Sequence, residues 1–158
     1  MKNWLFLITL FVFTNKINAQ TQLNIVGKWK IIFINMGIQH DYKTKETVLS
    51  KELEALKKSD KEEDKFAFAF STALIETFED LIYIFNANGQ YEEFVKGKAP
   101  KKGTYKLDLE KKTIIMVSTN KFGTEFKEQM NFEIKNNTLI LSTPKGDQNP
   151  GFTFEKVD

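Results

Sequence analysis

The chain of 158 residues contains no cysteine and no arginine, and its single histidine is His40. Without cysteine it has neither a thiol nucleophile nor a disulfide, so an exported fold would depend on its hydrophobic core. Without arginine no guanidinium is present to grip a carboxylate or phosphate through paired hydrogen bonds. One histidine without cysteine is too few ligands for a usual zinc site, and we predict that His40 is a solvated loop residue. These absences disfavour an enzyme, and we expect no cofactor and no metal.

Long apolar runs are also scarce. The run near the start, Trp4 to Phe13, has about ten residues against the roughly twenty that a bilayer-spanning helix needs. Lys2 precedes this run, and a polar stretch ending at Ala19 follows it, which is the pattern of a secretory signal peptide cut before Gln20. We therefore predict a signal peptide at residues 1–19, export to the periplasm or the medium, and no transmembrane segment.

Neither sign of charge is in excess. The chain has 23 basic and 21 acidic residues, and two of the lysines, Lys2 and Lys16, lie in the predicted signal peptide. The rest is therefore formally neutral, and without a basic stripe we expect no nucleic-acid partner. Residues 20–158 have the length of one domain that can bury a core of ordinary size.

The stretch that begins at Gly27 predicts the first strand, over residues 26–36. A glycine followed two positions later by Trp29 allows a close backbone approach while the indole closes one end of a barrel. Trp29, Ile31 and Phe33 share one face of this strand. Its distal half is apolar on both faces, so it needs cover on both sides.

Between about residues 44 and 80 the hydrophobic period changes from two towards 3.6, which predicts two helices inserted after the first strand. The first helix ends at about Lys57 and carries three leucines on one face: Leu49, Leu53 and Leu56. The second helix has an apolar face made by Phe66, Phe70, Ala73 and Leu74. We expect this face to be buried against the barrel mouth or its wall. The run 66–70 also alternates as a strand would, but the acidic start and the length favour a helix.

From Leu81 onward the pattern is one of strands and turns, with clear apolar–polar alternation at residues 104–109 and 124–135. Asn88-Gly89 and Asn136-Asn137 are typical of tight hairpin turns. The predicted strands cover residues 81–85, 90–95, 104–109, 113–119 and 124–135, followed by one that contains Leu139 and Leu141 and one that contains Phe152 and Phe154. Together with the strand over residues 26–36 these make eight strands, which leave two exposed edges unless the last pairs with the first. The sequence thus predicts a mainly β fold, an eight-stranded antiparallel up-and-down barrel with a two-helix insert between strands 1 and 2.

Several segments occur in a set order: the signal peptide, Gly27-x-Trp29, 85–91, 103–107 and 137–141. In this order they resemble the lipocalin-like domains exported by Bacteroidetes-type bacteria. The resemblance implies a calycin-type barrel whose lumen can bind a small hydrophobic molecule. Lipocalins often carry an arginine near the last strand that packs over the tryptophan; this chain has none, and Lys156, near its last predicted strand, is the cation that could lie across Trp29. The helical insert resembles the helix-turn-helix that covers the portal of fatty-acid-binding proteins.

Two acids interrupt predicted inward faces, Glu93 and Glu128. A lone ionised carboxylate in an apolar lumen is costly, so each needs a partner, a raised pKa or a place at the rim. A rim position or a β-bulge is one interpretation, and ligand recognition is the other. Three tyrosines are also predicted to face inward, either to offer hydroxyls or simply to pack: Tyr83, Tyr91 and Tyr105.

These features predict non-catalytic binding of a small hydrophobic or amphipathic molecule in the barrel. The candidate ligand-binding residues are Tyr83, Tyr91, Tyr105, Glu128, Phe126, Met130, Phe66 and Phe70, and the residues that close the barrel are Gly27, Trp29 and Lys156. The alternative is a structural or protein-interaction barrel whose lumen is filled by part of its fifteen phenylalanines.

Overall fold

A computed structural model describes residues 24–144 and 151–158 of the chain. The predicted signal peptide, residues 1–19, lies outside the described residues. The strands are β1 (Gly27–Asn35), β2 (Ile38–Asp41), β3 (Thr47–Leu49), β4 (Ile82–Phe85), β5 (Gln90–Phe94), β6 (Lys101–Asp108), β7 (Thr113–Thr119), β8 (Glu125–Lys135), β9 (Thr138–Ser142) and β10 (Gly151–Val157). Two helices, α1 (Lys51–Lys57) and α2 (Glu62–Phe78), lie between β3 and β4.

Eight of these strands form a closed antiparallel barrel. The strands follow the order β10-β9-β8-β7-β6-β5-β4-β1, and β10 also pairs with β1. The predicted fold class is therefore confirmed. The predicted strand bounds agree closely with the structure, except that β6 begins at Lys101.

Trp29 is buried at the end of the barrel where β1 begins, and we call this the closed end. The buried indole donates from Nε1 to the carbonyl of Ile25 at 2.7 Å. Lys156 lies over the ring, with Nζ 5.4 Å from its centroid. Gly27 adopts a φ of +136°, and a Cβ there would lie 2.6 Å from Cε of Lys156. Glycine is favoured at this position because side chains rarely adopt this backbone conformation, while the flexible end of Lys156 could move aside.

A β-bulge in β1 corrects the predicted inward face. The register with β10 shifts between Ile31 and Phe33, so that one extra residue is inserted at this point of β1. After the shift Ile34 is fully buried in the core, while Phe33 is only half-buried. The expectation that Phe33 shares the face of Trp29 was therefore wrong, because a bulge reverses the alternation beyond it.

The insert between β1 and β4 begins with a hairpin, β2 and β3, that was not predicted. Asn35 of β1 pairs with Gln39 of β2, and β3 extends this part of the sheet. His40 lies on β2 and is buried, so its expected place in a solvated loop was wrong. Its Nδ1 is 2.7 Å from Oγ1 of Thr47 across the hairpin, and its ring meets that of Tyr42 edge-on. The hydrogen bond to the Thr47 hydroxyl explains how a polar ring can be buried in this position.

Helix α2 contacts the barrel through its C-terminal turn. Phe78 meets Phe152 of β10 edge-on at 5.3 Å, and the hydroxyl of Tyr42 donates to the carbonyl of Ile75 at 2.9 Å. Phe66 and Phe70 are 75% and 62% exposed, so the expectation that their face is buried was wrong.

The reason is geometric. Phe68, Ile75 and Phe78 lie on one side of α2 and are half-buried, whereas Phe66 lies on the opposite side of the helix. The other members of the predicted face also differ from expectation, since Ala73 is exposed and Leu74 is only half-buried. In the described part of the chain, no helix has the length and apolar character needed to span a membrane.

We expect Trp29→Ala to lower the free energy of unfolding by about 3 to 5 kcal/mol, because it removes the largest buried side chain at the closed end. Lys156→Met, which keeps the stem over the indole, should cost less than about 1 kcal/mol. Urea denaturation of both variants checks this. An unchanged unfolding midpoint for Trp29→Ala would show that the indole does not close the barrel.

A second prediction concerns pH. Burial, and then the charge of Lys45, lower the pKa of His40 below its ordinary 6.5, although Asp41 and Glu79 oppose the shift. The unfolded chain therefore takes up a proton on this ring at a higher pH than the folded protein does. The free energy of unfolding should be insensitive to His40 above pH 6.5, and should fall as the pH drops from there through the lowered pKa.

Urea titrations between about pH 7.5 and pH 5 measure this slope, since most carboxyl groups titrate below that window. The slope should disappear in His40→Gln, because His40 is the one histidine in the chain. A slope that persists in the variant would assign the effect to another group.

Candidate functional site

The barrel interior next to the closed end is filled by packed aromatic rings. Tyr83 stacks on Phe85 with centroids 5.7 Å apart and meets Phe154 edge-on at 5.4 Å. Phe85 in turn meets Tyr105 edge-on at 5.0 Å. All four rings are buried. Most of the lumen up to Tyr83 is therefore occupied by the protein's own side chains.

The opposite end, where β1 finishes and β8 begins, has exposed inward-facing residues, and we call it the open end. Phe126 and Glu128 lie on the inner face of β8, opposite the buried Ser118 and Met116 of β7. Phe126 is 49% exposed, and the side chain of Glu128 is 47% exposed. Met130, the next residue on this face, is buried. The boundary between filled and accessible lumen thus runs between Glu128 and Met130.

Three charged side chains meet on the inner wall of the open end. Lys101 Nζ is 3.0 Å from Oε1 of Glu128 and 3.6 Å from Oε2 of Glu93. The sheet register explains the contact of Glu93 with Lys101, because Glu93 of β5 lies directly beside Lys101 of β6 and, on its other side, beside Tyr83 of β4. We call these residues, Glu93, Lys101 and Glu128, the mouth cluster. Two carboxylates face one ammonium, so its formal net charge is −1.

The electrostatics keep the lysine charged and the neighbouring phenol neutral. Burial alone would lower the pKa of Lys101, but the hydrogen bond to Glu128 and the charge of Glu93 raise it above its ordinary value. Burial, followed by the charges of Glu93 and Glu128, raises the pKa of the Tyr83 hydroxyl well above its ordinary value. Tyr83 therefore keeps its proton and donates it to Oε2 of Glu93 at 3.3 Å.

Tyr91 forms the floor of the open end together with Tyr83. Its ring is buried, burial raises the pKa of its hydroxyl, and Ser118 hydrogen-bonds that hydroxyl. Gly103 makes room for the ring, because a Cβ there would overlap the carbonyl of Val117 and lie 2.7 Å from Cε1 of Tyr91. Two phenols thus separate the aromatic interior from the mouth cluster.

Sequence reasoning found part of this site. The structure brings together four of the residues singled out from the sequence: Tyr83, Tyr91, Phe126 and Glu128. Glu93 joins them as a partnered inward residue near the rim. The sequence interpretation missed Lys101, although it continues the inward face of Tyr105 and Gly103 backward by the same alternation.

The other candidates lie elsewhere. The hydroxyl of Tyr105 donates to the carbonyl of Asn86 at 2.9 Å, in the turn at the closed end. Met130 packs in the core, while Phe66 and Phe70 stand exposed on α2. These four side chains do not belong to the open end.

The chain is similar in structure to a DUF4847 family protein from Bacteroides vulgatus. The TM-score is 0.44, the sequence identity is 13%, and the similarity covers 84% of this chain and 94% of that one. No family model and no curated protein matches the chain. At this level of similarity no residue role passes from one protein to the other.

Two adjacent lysines on opposite faces of β6 provide a test of the mouth cluster. Lys101→Met leaves Glu93 and Glu128 without their shared cation on a partly buried wall. We expect it to lower the free energy of unfolding by about 1 to 2 kcal/mol, between the values for exposed and buried pairs. Lys102→Met breaks only the outer pair with Glu92 and should change stability by less than about 0.5 kcal/mol.

Urea denaturation of both variants near neutral pH measures the difference. Equal effects of the two substitutions would mean that the mouth cluster contributes no more than an ordinary surface pair.

Proposed function

We propose that this protein is an exported, lipocalin-like binding protein that holds a small amphipathic molecule at the open end of its barrel and catalyses no reaction. The observation that carries this proposal is Phe126, an aromatic side chain on the inner face of a closed barrel that is half exposed. An apolar ring beside a cluster of charged groups suits a ligand with an apolar body and a polar head.

The packed interior limits where such a molecule can sit. Because Tyr83, Phe85 and Phe154 fill the lumen, the bound molecule rests on the tyrosine floor and does not thread into the barrel. The proposal includes no catalytic step, since the one histidine lies in the β2–β3 hairpin against Thr47 and not in the mouth. Export is supported by the basic start, the apolar run and the small residue at the predicted cleavage point, Ala19.

A second candidate function is protein interaction through a filled barrel. The same packed rings favour it, and so do Phe66 and Phe70, which stand one helical turn apart and exposed on α2. In that case the apolar contact surface is the helix and not the mouth.

The two candidates are separated by titrating the purified protein with N-phenyl-1-naphthylamine, a neutral apolar fluorophore. We expect saturable binding that Phe126→Ala weakens by about tenfold, as removal of an aromatic anchor does. Phe122→Ala is the matched control, because Phe122 is an exposed phenylalanine in the neighbouring β7–β8 turn, outside the inner face.

Binding that survives Phe126→Ala but is lost in a Phe66→Ser, Phe70→Ser double variant would favour the interaction surface on α2. Absence of saturable binding to the unaltered protein would contradict the proposed function.

A further inference from the structure

The net charge of the mouth cluster indicates which class of ligand the open end would bind, if the proposed function holds. We infer that the site selects molecules with a positively charged head, that is, an organic ammonium on a small apolar body. The juxtaposition that carries this is two carboxylates and one ammonium on the inner wall, beside the half-exposed ring of Phe126.

The two carboxylates differ in their exposure and in their number of partners. Glu93 is 19% exposed and has two partners, Lys101 at 3.6 Å and the hydroxyl of Tyr83 at 3.3 Å. Glu128 is far more exposed and, among the described residues, pairs with Lys101 alone. The excess negative charge is therefore shared by the two carboxylates, since Lys101 lies at 3.0 Å from Glu128 and 3.6 Å from Glu93, and Glu128 is the one that solvent and a ligand reach more readily.

An anionic head meets the opposite situation. Any anion that approaches Lys101 also comes close to both Glu93 and Glu128, because the lysine lies within 3.0 to 3.6 Å of them. The Tyr83 proton is already donated to Glu93, so it is not free for an anion. Like-charge repulsion in a partly desolvated wall then opposes the binding of a carboxylate such as that of a fatty acid.

The apolar partner stands on the same face. Phe126 precedes Glu128 by two residues on β8, so both side chains point to the inner side of the barrel. A ligand whose ammonium pairs with Glu128 can lay its apolar body against the ring, and the ring face also attracts a cation. One ligand chemistry thus satisfies the exposed charge and the exposed ring together.

The test compares three probes of similar size that differ in charge: 2-phenylethylammonium, 2-phenylethanol and 3-phenylpropanoate. Isothermal titration calorimetry with the purified protein should give the tightest binding for the cation, about fivefold tighter than for the alcohol, and the weakest for the anion. This comparison needs no substitution, so it does not depend on the folding of any variant.

Charge substitution then assigns the effect to the mouth cluster. Glu93→Gln with Glu128→Gln turns a net charge of −1 into +1 and should reverse the order of the cation and the anion. Lys101→Gln makes the net charge −2 and should strengthen binding of the cation. Glu92→Gln with Lys102→Gln, which removes the outer pair on the same two strands, should leave the order unchanged.

The outcomes separate this inference from the proposed function. Equal affinities for the three probes, or an order that does not follow the charge of the cluster, would overturn the ammonium assignment and leave the binding function standing. Failure of all three probes and of the naphthylamine fluorophore to bind would overturn the binding function itself.

Discussion

Closure of the sheet between β1 and β10 is the constraint on which the rest of the structure depends. β1 pairs with β10 from Lys28 to Asn35, but with β4 only from Gly27 to Lys30. The distal half of its other edge is therefore left free by the barrel, and β2 takes it. The insert begins at this point because a free strand edge needs a partner. Barrel closure thus decides both where the interior is sealed and where the helices attach.

The regular part of the fold could be predicted from the sequence, and its irregular part could not. Residues 104–109 and 124–135 alternate between apolar and polar, and turn residues separate the strands from β4 to β10. The strands therefore follow from the pattern, and the inward direction of Glu93 and Glu128 follows from parity. Residues 31–34 of β1 are all apolar, so nothing in them reveals the bulge. Residues 66–70 are likewise all apolar, so several faces of helix α2 could be buried. Tertiary contacts at Phe78 select the face that is.

The candidate site was only half predictable because it depends on partners across strands. The parity of Glu93 and Glu128 shows that each needs compensation, but not which cation provides it. Lys101 follows Pro100, and proline is rare inside strands, so the strand was predicted to begin only at Thr104. His40 shows the same limit, since only the pairing of β2 with β3 brings the hydroxyl of Thr47 to its ring.

The tyrosine floor explains how one barrel holds a packed core and a charged cluster on the same inner face. Tyr83 places its ring among Phe85 and Phe154, and its hydroxyl at Glu93. Such amphipathic side chains form a boundary, because the ring contacts apolar side chains and the hydroxyl contacts a charged group. On the closed-end side of this floor, charged groups would be desolvated without partners. On the open-end side, aromatic rings would be exposed to water. The position of Tyr83 and Tyr91 therefore sets the depth of the open end. Gly103 permits the position of Tyr91, because a side chain there would overlap its ring.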